Sequence, residues 1–227
     1  MMDQGLPPLV SVMDAVNAPS YGAELVADLP LELRQNLAIH ECSYRAIRTM
    51  FDDRSPSVLP PAETFYARMD TLESSFDLLQ LSLGESLSFN VSLHLAALRL
   101  YFRCLHFVVE AAAETDQRRE GILRAYASAA SFITLTISHE SAHEELLYAP
   151  SAASRMIFAA ALVIFRVVHS SYATALPTGL DRNMGQVLYN SASFAIHRCS
   201  VQYGEKDLPR RTVDLMKLLC MAPQELH

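Results

Sequence analysis

Two stretches of this sequence read as helices that are apolar around most of their circumference, yet each carries a thin stripe of basic side chains. In the first, from Leu93 to Phe107, Arg99, Arg103, His106 and the following Glu110 are spaced by four, three and four, so they share one helix face. In the second, from Arg155 to His169, Arg155 and Arg166 stand eleven positions apart, close to three turns, and His169 follows one turn later. A helix of this kind belongs in a domain interior. Its guanidinium groups then need carboxylates, a ligand or a wet cavity, because a lone charge removed from water is too costly.

The rest of the chain is helical in pattern. Residues 1–29, with Pro7, Pro8 and Pro19, read as an irregular lead-in. After Pro30, Leu31, Leu33, Leu37, Ala38, Tyr44 and Ile47 fall on a broad helix face, which Asp52-Asp53-Arg54-Ser55-Pro56 brings to an end. Pro60-Pro61 opens a second helix with Phe65, Met69, Leu72, Phe76 and Leu79 at helical spacing, and Gly84 breaks the chain before the first striped helix. That helix is expected to run to about Ala113. Another extends from Thr115 to Ser138, with an Ala- and Ser-rich side that lets a neighbour approach closely. Pro150 precedes the second striped helix, Pro177-Thr178-Gly179 marks a turn, and a helix from about Leu180 to Val201 follows, with Gly204 to terminate it. Asp207-Leu208-Pro209 starts the last, with the carboxylate at the N-cap. No strand alternation competes with these patterns. The expectation is an all-α fold, a single-domain bundle of about seven helices around one core over residues 30–222, followed by a short tail, 223–227.

Charge and cysteine usage narrow the function classes. A formal net charge of -7 without any basic run argues against a nucleic-acid surface, and Arg118-Arg119 and Arg210-Arg211 read as isolated pairs on solvated helix faces. Cys42, Cys104, Cys199 and Cys220 are scattered, as in a chain kept in a reducing compartment. The start of the sequence lacks a signal-peptide pattern. The longest uncharged apolar run, Met156 to Phe165, is about half the ~20 residues that a membrane helix needs. A soluble protein without membrane contact is expected.

Catalytic motifs are weak. His139-Glu140-Ser141-Ala142-His143 fits H-E-x-x-H, a zinc-hydrolase pattern in which two imidazoles one turn apart hold the metal and the glutamate activates water. No suitably placed third ligand follows, and the string lies at a helix end, so an exposed polar terminus is the better reading. Asp52-Asp53 reads as a helix-ending loop rather than half of an aspartate-rich magnesium site. Neither a nucleophile elbow nor a phosphate-cradling glycine loop is present. Neither a metal nor a cofactor is expected, and no catalytic residue is assigned. For the basic stripes two readings stand. Arg99, Arg103 and Arg166 pair with carboxylates such as Glu110, Asp181 or Glu144, or the two stripes wall a single cavity for an anionic metabolite, since arginine forks match carboxylates bidentately.

Taken in order, several strings resemble the regulatory region of fungal binuclear zinc-cluster transcription factors of the leucine-biosynthesis-activator and weak-acid-response-regulator type. They are Leu93-His94-Leu95-Ala96-Ala97-Leu98-Arg99-Leu100-Tyr101; Arg118-Arg119-Glu120-Gly121-Ile122-Leu123 before an Ala-rich helix; and Tyr148-Ala149-Pro150 followed by Arg155. Ala159-Ala160-Ala161 then leads to Ser170-Ser171-Tyr172, Asp181 to Gly185, Leu188-Tyr189 and Cys199-Ser200-Val201, and Asp207-Leu208-Pro209-Arg210-Arg211 begins the last helix. The resemblance covers about residues 85–220. It implies an all-helical domain, nuclear or cytoplasmic, that senses a small organic, anionic effector and controls transcription through the transcriptional machinery or another regulator. The residues expected to line its pocket are His94, Arg99, Tyr101, Arg103, His106, Arg155, Arg166 and His169. The six-cysteine DNA-binding cluster of such factors is not in this sequence, so direct nucleic-acid binding is not expected of it, as a fragment or as a stand-alone regulator. The alternative expectation is a stand-alone enzyme that uses the helical pocket in fungal metabolism, or a zinc hydrolase working through residues 139–143.

Overall fold

The computed structural model of the chain describes residues 28–51, 58–109, 115–138, 151–176 and 178–203, with no side-chain description for 151–154 and 197–203. Residues 1–27 of the lead-in, the Asp52-Asp53 loop, Glu110, Glu144, the H-E-x-x-H string and the helix expected from Asp207 lie outside the described residues.

The protein is all-α. Six α-helices occur among the described residues: α1 (Leu31–Met50), α2 (Ala62–Leu83), α3 (Phe89–Cys104), α4 (Asp116–Ser138), α5 (Ser151–Val168) and α6 (Arg182–Tyr203). Short 3-10 turns follow α3 (Leu105–Phe107) and α5 (Ser171–Ala175).

The helix boundaries have local causes. Pro30 and Pro61 stand at the N-caps of α1 and α2, where the missing N–H removes no helical bond. Gly84 ends α2 with φ +82°, a conformation that a side chain would strain. The Ser88 hydroxyl accepts from the Val91 N–H, that of Thr115 from the Arg118 N–H, and the Asp181 carboxylate from the Met184 N–H, which caps α3, α4 and α6. The first striped helix is shorter than its apolar pattern predicts. Regular α-helix stops at Cys104 and tightens into the 3-10 turn that carries His106.

The interior falls into two clusters that meet at α3, rather than the single core expected. Val91, Leu95, Leu98 and Phe102 lie on one side of α3 and pack with Ile39, Ala46 and Met50 of α1 and with the Phe65, Met69, Leu72 and Phe76 row of α2. On the other side, Leu93, Ala96, Ala97, Leu100 and Cys104 face a cluster built by α4, α5 and α6 around Tyr126, Phe132, Ile157, Ile164 and Ile196. The first set steps by four, three and four, and in the second Leu93, Ala97, Leu100 and Cys104 do the same with Ala96 beside them, so α3 carries two apolar stripes and serves two sets of neighbours. That is why its sequence reads as apolar nearly all round. Small residues bring α4 close to its neighbours, as its composition predicts. A Cβ added to Gly121 would stand 2.3 Å from Nδ1 of His106, and one added to Gly185 of α6 would stand 2.7 Å from the Tyr126 hydroxyl.

Candidate functional site

The first basic stripe meets an acidic stripe. Asp70, Glu73 and Asp77 are spaced by three and four along α2, mirroring the four and three of Arg99, Arg103 and His106. The pairing runs in opposite chain directions. Nη2 of Arg99 donates to Asp77 Oδ1 at 2.9 Å and to the Phe76 carbonyl at 3.1 Å. One turn on, Arg103 grips Glu73 with a two-pronged fork, Nε to Oε1 and Nη2 to Oε2, both at 2.6 Å, and its Nη1 donates to Ser128 of α4 at 2.5 Å. The two pairs differ in weight. Asp77 is 69% exposed and holds Arg99 from the solvent side, whereas Arg103 and Glu73 are 17% and 15% exposed, so little water competes with their attraction.

His106 closes this row from inside. It is 6% exposed, stacks on Tyr66 with ring centroids 5.9 Å apart, and meets Phe65 edge-on at 5.1 Å. Burial pushes its pKa down to about 4. The carboxylates of Glu73 and, less strongly, Asp70 oppose that shift, and Arg103 and Arg124 reinforce it. The ring is therefore neutral at pH 7. Its Nδ1 has no hydrogen-bond partner and lies against Gly121, and the buried Tyr66 hydroxyl and Nε of Arg99 also lack one.

The second stripe faces outward. Arg155 and Arg166 are exposed on α5 in line with Leu162, which is 39% exposed, while Ile157, Ala160, Ala161, Ile164, Val167 and Val168 fill the faces toward α4 and α6. The Arg166 guanidinium carbon lies 5.3 Å from the centre of the Phe107 ring, a cation–π contact between α5 and the end of α3. The His169 ring is 4.4 Å from that of Phe165, and burial followed by the charge of Arg182 lowers its pKa. Nε of Arg182 donates to the Val168 carbonyl at the end of α5. Among the described residues, no carboxylate pairs with Arg155, Arg166 or Arg182.

The remaining two expected residues stand apart. His94 is exposed on the α1 side of α3, where its Nδ1 lies 2.8 Å from Oδ1 of Asn36. Tyr101 is 49% exposed with its ring edge-on to Phe102. The eight residues thus occupy three places. Arg99, Arg103 and His106 lie in the α2–α3–α4 contact, Arg155, Arg166 and His169 on the outer edge of α5, and His94 and Tyr101 on outer sides of α3. Arg166 of the second stripe lies over Phe107, the residue next to His106 of the first.

Sequence reasoning missed Asp70, Glu73 and Asp77 as the partners of the first stripe, although their mirrored spacing was there to be read. Asp181, expected to pair with an arginine, caps α6 instead.

Other chemistry is sparse. A groove of about 420 Å³ between α1 and α2 is lined in part by Cys42, Arg45, Thr71, Ser75 and Ser82. The Thr71, Ser75 and Ser82 hydroxyls there donate to carbonyls of their own helix, and Arg45 pairs with Glu41. Burial raises the Cys42 thiol and pushes that of Cys104 up to about 11, which leaves both protonated and poor nucleophiles. Comparison with protein-family models, with curated proteins and with solved structures finds no match for this chain.

Proposed function

We propose that this chain is a metabolite-responsive regulatory domain of the fungal zinc-cluster transcription-factor type, and that its effector is a small organic anion. The order of the sequence strings from Leu93 to Arg211 supports the class, and the all-α architecture agrees with it. In the complete domain the helix expected from Asp207 makes the seventh. The observation that carries the choice of effector is the exposed pair Arg155 and Arg166 on α5, with half-buried His169 just past the helix end, which has no protein carboxylate to neutralise it among the described residues. Arg99 and Arg103 are already engaged by Asp77 and Glu73, so the anion binds at the α5 edge.

The same geometry supports a way to transmit binding. Arg166 rests on Phe107, at the end of the helix that both hydrophobic clusters share. An anion that draws Arg166 away from the ring favours a different packing of α5 against α3, a population shift that changes the surface offered to transcriptional machinery or another regulator. A domain of this kind acts in the nucleus or the cytoplasm, without catalysis and without touching DNA itself. The test is thermal stabilisation by a panel of mono-, di- and tricarboxylates, since a ligand that prefers the folded state raises Tm. Stabilisation that disappears in Arg166→Ala but persists in Arg99→Ala is the expected result. Absence of any response in the wild-type protein refutes the acid-sensing proposal.

A further inference from the structure

We propose that His40 of α1 and His94 of α3 form an open, two-histidine site for a divalent transition metal of the zinc type, bridging the two helices at the surface. The residues around them make a polar ladder. Glu32, Asn36 and His40 recur every four positions on α1, and Asn90 and His94 do so on α3. Asn90 donates to Glu32 at 3.4 Å on the first rung, and His94 meets Asn36 on the second. On the third, the rings of His40 and His94 stand with centroids 6.3 Å apart.

Two features fit metal binding better than a merely polar edge. The first is the tautomer of His94. Its Nδ1–H donates to the carbonyl oxygen of Asn36, which places the free lone pair on Nε2, the arrangement by which an outer partner orients a metal-binding imidazole. The second is separation. With metal–nitrogen bonds of about 2.1 Å and a tetrahedral angle, two ring centroids lie about 5 Å apart. The 6.3 Å seen here needs a closure of about 1 Å, within reach of a side-chain rotation of the exposed His40.

No group of three or more histidines, cysteines and carboxylates suited to a metal occurs among the described residues, so water completes the coordination and Glu32 contributes charge. Imidazole nitrogen selects zinc, nickel or copper over magnesium or calcium.

The experiment is calorimetric titration of zinc chloride into the untagged, chelator-stripped full chain, with His40→Gln, His94→Gln, Asn36→Ala and His143→Gln alongside. One zinc with a Kd below about 1 mM is expected. Each of His40→Gln and His94→Gln should weaken it at least tenfold, Asn36→Ala about tenfold through loss of ring orientation, and His143→Gln not at all. Both histidines are exposed, so the variants keep their helix content. In the wild-type protein, zinc should also protect both rings from diethyl pyrocarbonate, a readout that needs no variant. Failure to bind zinc, binding that survives either His40→Gln or His94→Gln, or binding lost only in His143→Gln overturns the site.

Discussion

Removing the Glu73 carboxylate is the sharpest test of how this fold handles its interior charge. Glu73→Ala leaves the Arg103 guanidinium, 17% exposed, with Ser128 as its one remaining hydrogen-bond partner. Taking one partner from a buried ion pair costs about 3–5 kcal/mol, against about 0–1 kcal/mol for a surface pair. The pair here is largely but not wholly buried and loses two charge-assisted bonds, which places Glu73→Ala at about 3 kcal/mol. Replacing both residues with leucine removes the orphaned charge, and the loss should fall to about 1 kcal/mol, much of it the unpaired Ser128 hydroxyl. Urea unfolding measures the Glu73→Ala loss directly, and in the cycle of wild type, Glu73→Leu, Arg103→Leu and the double leucine variant the double loss should fall well below the sum of the two single losses. For a chain of this size Glu73→Ala should lower Tm by roughly 6–12 °C. The parallel test on the exposed side is Asp77→Ala, which should cost less than about 1 kcal/mol. A Glu73→Ala loss below 1 kcal/mol, or equal losses at Glu73 and Asp77, would refute the claim that burial separates the two pairs.

Three further outcomes follow from the same contacts. The His106 ring titrates at 6.5 when unfolded and near 4 when folded, so the unfolded state binds more protons between those values and stability rises with pH across that window. Its contribution is complete above about pH 6.5 and falls by about 3 kcal/mol as the pH drops toward 4, a loss that urea curves should show in wild type and not in His106→Leu. Gly121→Ala forces a Cβ to within 2.3 Å of the His106 ring and should cost at least about 2 kcal/mol, whereas Gly84→Ala meets open space and only its positive φ, a penalty of about 1 kcal/mol. Both losses are read from denaturation midpoints. Peptide mapping after timed iodoacetamide treatment of the native protein at pH 8 should find Cys104 labelled far more slowly than after unfolding; equal rates would contradict a thiol raised to about 11.

The helices and most of their ends were legible in the order of residues alone. Pro30, Pro61, Gly84, Thr115 and Gly179 act through their own backbone or cap geometry, over distances of a few residues, and the structure places helix boundaries or a turn at each. The stripes were legible for the same reason, since a period of 3.6 residues decides which side chains share a face. What the sequence could not determine is which neighbour each face meets. Arg103 and Arg166 look alike in the chain, both set among apolar residues. The tertiary packing turns one toward Glu73 between two clusters and leaves the other on the open edge of α5. The apolar circumference of α3 likewise signals burial without saying that it divides between two cores. Local backbone energetics are written residue by residue. The partner of a charge depends on how whole helices cross, which is settled by the burial of apolar surface summed over the bundle.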